Sequence, residues 1–354
     1  MHKSNRFYAA KRCKPYPDHC KTDKMIEKLI KIFIITLSCI SCKKENTELS
    51  YTFSTQRTYS THREVDISWK NEGVNLSGTL YLPLDSGLYT TAAWMHGSSI
   101  NLRRPYKDDC FYLVRHGSAC SWVDRGYAFF SYDKRGSGES EGTYTTQVTE
   151  NYLKLLGRDA LSAIKVCSKY PEIDKNKIGF FGESQAGWTI TTIEDNNIVK
   201  FSIIINGPAV SYGEFEYYAS LTGNNDTKFQ YTDCNNINLD SIYNLLYDNR
   251  NENVSGYDPE QGLIQMQQPS LFIIGLRDLH VPARLDLEDL TDIKENYNKN
   301  WEIITIENAD HALMTNNALC ITLTQPEGSL IQELHYQVDW ETPAFSWLNS
   351  IENE

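Results

Sequence analysis

The chain has 354 residues, 40% of them hydrophobic and 23% charged, with 20 Gly and 11 Pro, a balance that excludes collagen-like, low-complexity and multi-span membrane proteins. Its net charge is −12, and residues 1–41 hold nine basic side chains against three acidic ones, so the remainder is more acidic still. Such a body repels phosphate backbones, which excludes nucleic acid as its partner and favours small neutral or cationic substrates.

Residues 1–24 are basic and turn-rich, with no apolar periodicity. From Met25 the chain reads MIEKLIKIFIITLSCISCKKEN, in which Lys28 and Lys31 precede the apolar run Ile32 to Ile40, followed by small residues and Cys42. That order is the shape of a secretory signal, and the run is far shorter than the roughly 20 residues that span a bilayer. The segment resembles a bacterial lipoprotein signal. The resemblance implies cleavage before Cys42, lipid on that residue, a tether to an envelope membrane and Met25 as the start of translation. Cys39 and Cys42 form a CxxC inside this signal, with no second CxxC to complete a zinc site. Cys110, Cys120, Cys167, Cys234 and Cys320 remain beyond it, an odd number that defines no disulfide framework, although Cys110 and Cys120 can pair after export.

A polar, Ser/Thr-rich stretch follows, so residues 42–63 are expected to form a flexible tether and residues 64–354 the folded domain. Val65 to Trp69 and Asn75 to Tyr81 alternate around Asn71, Glu72 and Gly73, which predicts an antiparallel hairpin. Apolar runs without that alternation come next, at Thr91 to Met95, Tyr127 to Tyr132, Lys177 to Phe181, Phe201 to Ile205, Ser270 to Ile274 and Trp301 to Ile306. Strands buried on both faces read this way. Leu153 to Tyr170 spaces Leu153, Leu156, Ala160, Leu161, Ile164 and Cys167 on one helical face, and Pro171 stops it. Strand and helix in repeated alternation predict an α/β fold, with a mostly parallel sheet covered by helices on both faces. The interval 207–269 breaks the rhythm. Between Pro208 and Gln268 it holds nine acids and two bases, and an insertion after a strand C-terminus overhangs the ligand crevice, which makes it a candidate lid.

The sharpest local feature is KIGFFGESQAGW, where the strand ending at Phe181 enters Gly182-Glu183-Ser184-Gln185-Ala186-Gly187 and then a helix. A serine on a tight strand-to-helix turn, with small residues two positions to either side, is a nucleophile elbow. A serine hydroxyl needs a base, and the base needs an orienting acid. In the elbow-containing arrangement these follow the serine in chain order, which leaves His280, His311 and His335 among the histidines. His311, in ENADHAL past the last strand, is preferred over the other two. Asp278, in IIGLRDLHVP past the preceding strand, is the acid; Asp310 competes, but adjacent residues on an extended segment point opposite ways. The oxyanion of acyl transfer needs fixed N–H donors. Gln185 supplies one, and the loop AAWMHGSS after the first parallel strand supplies the other at Ser98, with His96 structural. In SYDKRGSGESEG the spacing fails both GxGxxG and the phosphate loop, and Asp133 and Arg135 are read as ordering that loop.

With HGS at 96–98, YDKRGSGES at 132–140, GESQAGW at 182–188, GLRDLHVP at 275–282 and ADHAL at 309–313, residues from about 64 to 350 resemble the α/β-hydrolase superfamily. Within it they resemble bacterial carboxylesterases of the dienelactone-hydrolase and serine-aminopeptidase-like branches. The resemblance implies Ser184 as nucleophile, His311 as base, Asp278 as acid, the amides of Ser98 and Gln185 as oxyanion donors, and neither metal nor organic cofactor. The expected function is hydrolysis of small carboxylic esters, the membrane being met only through the lipid anchor. A peptidase is the alternative, with Glu214 or Glu216 receiving a substrate amino terminus. An acyl thioesterase is disfavoured by the acidic insertion, and an inactive binding lipoprotein by the filled triad positions.

Overall fold

The computed structural model describes residues 49–104, 119–194, 197–223, 237–315 and 336–353. Met25, Cys42 and the signal segment lie outside these, as do Cys110, Cys234, Cys320 and His335. A ten-stranded mixed sheet forms the centre. Its antiparallel part is β1 (Tyr51–Phe53), β2 (Arg57–Thr58), β3 (Arg63–Asn71) and β4 (Val74–Leu82). The β3–β4 connection is the expected hairpin, closed by a two-residue turn because Asn71 pairs with Val74, with Glu72 at φ 48° and Gly73 at φ 85°, the positive pair that matches strand twist.

The stretch expected as a flexible tether is strand from Tyr51. Both β1 and β2 pair antiparallel with β3. Two anchors hold them there: Phe53 meets Tyr170 edge-on at 5.4 Å, and Arg57 pairs with Asp66 at 2.7 Å and Glu64 at 2.9 Å. The Ser/Thr composition concealed these contacts because isolated aromatic and charged residues, not an alternating apolar pattern, make them.

The parallel part comprises β5 (Tyr89–Met95), β6 (Ala128–Tyr132), β7 (Ile173–Glu183), β8 (Ser202–Ile205), β9 (Ser270–Gly275) and β10 (Trp301–Ile306), and the order across the sheet is β1-β3-β4-β6-β5-β7-β8-β9-β10. Strands β5, β6, β8 and β9 are buried along their whole length because both faces are covered, whereas β7 is continuously buried only from Ile178 and β10 exposes Glu302 and Thr305. Phe130, Phe180 and Phe272 enter one core with Trp69, Ile164 and Ile190, whereas Phe129, Phe181 and Leu271 enter the other with Trp94, Trp122, Trp340 and Phe345. Burying each such side chain stabilises the fold by about 1.5–3 kcal/mol.

Helices α1 (Ala119–Val123), α2 (Glu150–Cys167), α3 (Ala186–Ile190), α4 (Tyr212–Thr222), α5 (Leu239–Asp248), α6 (Arg250–Asn253), α7 (Glu260–Gln265), α8 (Ala283–Asn296) and α9 (Glu341–Glu352) complete the main elements. Thr149 caps α2 by accepting from the Tyr152 amide, and Leu153, Leu156, Ala160, Ile164 and Cys167 are buried as their spacing predicted. This is the expected α/β-hydrolase fold, and it brings the C-terminal ends of β5 to β10 to one rim. The interval 207–269 contributes α4 to α7 and is fastened to that rim: Tyr218 Oη donates to Asp278 O at 2.6 Å and Thr222 Oγ1 to Leu279 O at 2.8 Å.

Candidate active site

Strand β7 delivers Ser184 into a backbone that few residues tolerate, at φ 53°. Two hydrogen bonds hold the turn, from Ser184 N to Ile205 O at 3.0 Å and from Gly187 N to Ser184 O at 2.8 Å. The requirement for small neighbours is steric: a Cβ on Gly182 would lie 2.6 Å from the Ala186 methyl and 2.8 Å from Met95 O. Strain of this kind, of order 1–3 kcal/mol, persists only where surrounding structure over-determines it. The Ser184 side chain is half-buried, and among the described residues its hydroxyl makes no hydrogen bond.

Past β9 and β10 the residues expected as acid and base, Asp278 and His311, meet. His311 Nδ1 lies 2.6 Å from Asp278 Oδ2, with the imidazole 19% exposed and the carboxylate 1%. The other carboxylate oxygen of Asp278 accepts from the His280 amide at 2.6 Å and the Val281 amide at 3.0 Å, so the loop fixes the acid before it fixes the base. Burial opposes the imidazolium, but the charge and hydrogen bond of Asp278 outweigh it, and Glu183 and Asp310 add to them. The His311 pKa is therefore raised above its ordinary 6.5. Asp310 faces the other way: its Oδ1 accepts from the amides of Ala312 at 2.8 Å and Met314 at 3.0 Å.

The predicted oxyanion residues stand nearby in the fold, Ser98 exposed on the loop after β5 and Gln185 buried at the N-cap of α3. Among the described residues neither backbone N–H donates to a protein acceptor. His96 is buried with Nε2 2.8 Å from Tyr132 O; burial first, then the charge of Lys134, pushes its pKa down to about 3, which suits a structural rather than a basic role. Asp133 accepts from Arg103 N at 2.7 Å, Arg103 Nη1 at 2.9 Å and Glu139 N at 2.9 Å. Arg135 makes a buried two-point pair with Asp159 at 2.7 and 2.5 Å. Both order the loop after β6.

Two contributors, Asn206 and Lys134, escaped sequence reasoning, and His280, a competitor for the base, stands beside His311. Asn206, at the end of β8 with φ 45°, accepts from Gly275 N at 2.7 Å and donates to His311 O at 3.0 Å and Asp310 O at 3.2 Å, stitching three strand ends together. The His280 ring packs 4.8 Å from that of His311. Lys134, two residues past the end of β6, is fully buried. Glu214, offered as a receiver for an amino terminus, is committed elsewhere. It forms a capping box with Ser211 and pairs with Arg250 at 2.8 Å. Among the described residues no cluster of three or more His, Cys, Asp or Glu side chains is arranged to hold a metal ion.

A doubly covered parallel sheet with a strained serine elbow and an aspartate-held histidine on one rim defines a hydrolase of the α/β class. The chain belongs to the prolyl oligopeptidase family, whose profile matches residues 115–327, a span that includes Ser184, Asp278 and His311. It is accordingly a serine hydrolase. Among solved structures it is similar to the acetyl xylan esterase from Paenibacillus sp. R4, with a TM-score of 0.51 and 13% identity over 95% of this chain and 96% of that one. Acetyl xylan esterase 1 from Thermoanaerobacterium sp. JW/SL YS485 gives 0.52 and 14% over 86% and 88%. Dipeptidyl peptidase 4 of Porphyromonas gingivalis gives 0.51 and 18% over 73% of this chain but 34% of its own. Identities this low speak for the fold alone. Comparison with curated protein sequences returns no match.

Proposed function

We propose that the protein hydrolyses small carboxylic esters through an acyl-enzyme on Ser184, with His311 as general base and acid and Asp278 as its orienting group. The observation that carries this reading is the 2.6 Å contact between Asp278 and His311 on the rim where the strained Ser184 turn emerges. Ser184 Oγ attacks the ester carbonyl and His311 Nε2 takes its proton, while Nδ1–H stays on Asp278. The carbonyl oxygen, now negative, is met by the N–H groups of Ser98 and Gln185. Collapse of the intermediate expels the alcohol, protonated by His311. Water, deprotonated by the same imidazole, then releases the acid and regenerates Ser184.

Esters are preferred over peptides because Glu214 is tied to Ser211 and Arg250, which removes one of the two candidate anchors for a substrate ammonium. The second reading, a peptidase, is favoured by the family profile itself and would rest on Glu216. Purified protein offered p-nitrophenyl esters and aminoacyl-anilides separates the two. The expected result is turnover of the esters with Ser184 labelled by a fluorophosphonate; faster turnover of the anilides overturns the ester assignment, and no labelling at Ser184 overturns both.

From the signal-like segment ahead of Cys42 we further infer that the protein is exported and lipid-anchored at Cys42 on a bacterial envelope membrane. Cys120 is disulfide-bonded, a state that persists in oxidising compartments, and Cys167 is a buried free thiol. Among the described residues no helix is long and apolar enough to cross a membrane. Metabolic labelling with a fatty acid should mark the wild type and spare Cys42→Ala; equal labelling removes the anchor.

A further inference from the structure

Lys134 has no exposed surface, and a lysine so placed ordinarily has a carboxylate beside it. Here the ammonium meets only uncharged oxygens: Gly97 O at 2.6 Å, Gln185 Oε1 at 3.0 Å, Ser98 O at 3.3 Å and Ser99 O at 3.5 Å. These acceptors belong to two segments, the 97–99 loop after β5 and the first residue of the turn into α3. They are the segments that carry the Ser98 and Gln185 amides.

The geometry of a peptide unit connects the two facts. The described chain contains no cis peptide, and in a trans unit the C=O and the following N–H point in opposite directions. Holding Gly97 O against Lys134 therefore turns the Ser98 N–H away from the ammonium, and a cation on the carbonyl oxygen polarises that amide into a stronger donor. On the other side Gln185 is held through its side chain, and among the described residues its own N–H donates to no protein acceptor. Tyr144 Oη adds a hydrogen bond to Ser98 O at 2.9 Å.

We propose that Lys134 is the positioning residue of the oxyanion hole: its ammonium clamps the 97–99 loop to Gln185 and so holds the Ser98 and Gln185 amides convergent on the carbonyl oxygen that becomes negative during acyl transfer. The clamp rests on the serine-hydrolase reading and explains an otherwise costly burial. That cost is visible in the lysine itself, whose pKa burial pushes down to about 7. The charged and titratable groups around it are few. His96 is neutral; Glu183 lies beside Gly97; the Tyr144 ring lies 5.6 Å from the ammonium; and the chain neighbours Asp133 and Arg135 are paired with Arg103 and Asp159. As pH rises through the lysine's pKa the ammonium becomes an amine, the clamp weakens, and turnover falls.

The test uses the full chain and begins by labelling with a fluorophosphonate, which must mark the wild type and not Ser184→Ala; without that, the serine-hydrolase reading fails and the clamp has no reaction to serve. Given labelling, Lys134→Met keeps the unbranched length and removes the donors. Its kcat on p-nitrophenyl acetate should drop about 10²–10³-fold, the range for losing an oxyanion donor, with KM and thermal midpoint little changed. Phosphonylation of Ser184 should slow in parallel. A kcat within about threefold of wild type overturns the clamp while leaving the nucleophile in place. Should the variant fail to fold, the wild-type pH profile decides: an alkaline fall in kcat beginning in the neutral range supports the clamp, and a plateau extending to about pH 9 overturns it.

Discussion

On the acid–base side of the rim, Asp278 holds His311 through a charged hydrogen bond of 2.6 Å, and two loop amides fix the carboxylate in turn. On the oxyanion side, beyond β5 and β6, the corresponding restraint is a lone ammonium shared among uncharged oxygens. The first arrangement sets a carboxylate against the imidazole and strengthens its affinity for a proton. The second has no counter-charge among its ligands, and its proton is held more weakly than an exposed lysine holds one. One rim thus combines a half with a counter-charge and a half without one, and their failures should be distinguishable.

The largest effect is expected where both halves converge. Ser184→Ala should lower kcat by about 10⁶ if nucleophile, base and acid act as a unit, measured by steady-state ester hydrolysis; near-wild-type turnover would detach both halves from the chemistry. Next comes Asp278→Asn, which keeps the shape but favours the wrong tautomer of His311 and should cost about 10⁴ in kcat. Asp310→Asn is its control, because that carboxylate turns back onto the amides of Ala312 and Met314. A loss of similar size at both positions would mean that Asp278 has been given the wrong role.

The contact between Asp278 and His311 was readable because each residue follows a strand visible as an apolar run. The turn at Glu72-Gly73 and the face of α2 were legible for the same reason, being local or periodic. The oxyanion clamp was not. Nothing in DKRG distinguishes a lysine that turns inward from one on a solvated loop; only the folded chain places Gly97 and Gln185 around it. Asn206 was hidden in the same way, since its partners stand 69 and 105 positions away. The pairing of β1 and β2 with β3 escaped notice because polar composition masks strands anchored by aromatic and ionic contacts.

Lys134 and its neighbour Arg135 give the contrast in its smallest form. Both are buried, but Arg135 is matched by Asp159, with side chains 5% and 1% exposed. Arg135→Met leaves a carboxylate buried without its cation and should destabilise the protein by about 3–5 kcal/mol in urea unfolding. Turnover per labelled Ser184 in the surviving folded fraction should stay close to wild type. The lysine substitution should do the reverse, so a stability loss without a rate loss at Lys134 would assign both residues to the scaffold.

The smallest effect tests where the acid limb of the pH profile comes from. His311 must be neutral to accept the Ser184 proton, and its raised pKa places the fall in kcat/KM at higher pH than an ordinary imidazole would. Glu183 contributes to that rise through its negative charge. Glu183→Gln removes the charge with little change of shape, so the imidazolium loses stabilisation and its pKa drops. The acid limb should move to lower pH, and activity at about pH 6 should increase relative to the maximum. Asp278→Asn removes the larger contribution and should move the same limb further in the same direction. A limb that stays in place in both variants would show that some group other than His311 titrates there, and the base would then have to be sought elsewhere on the rim.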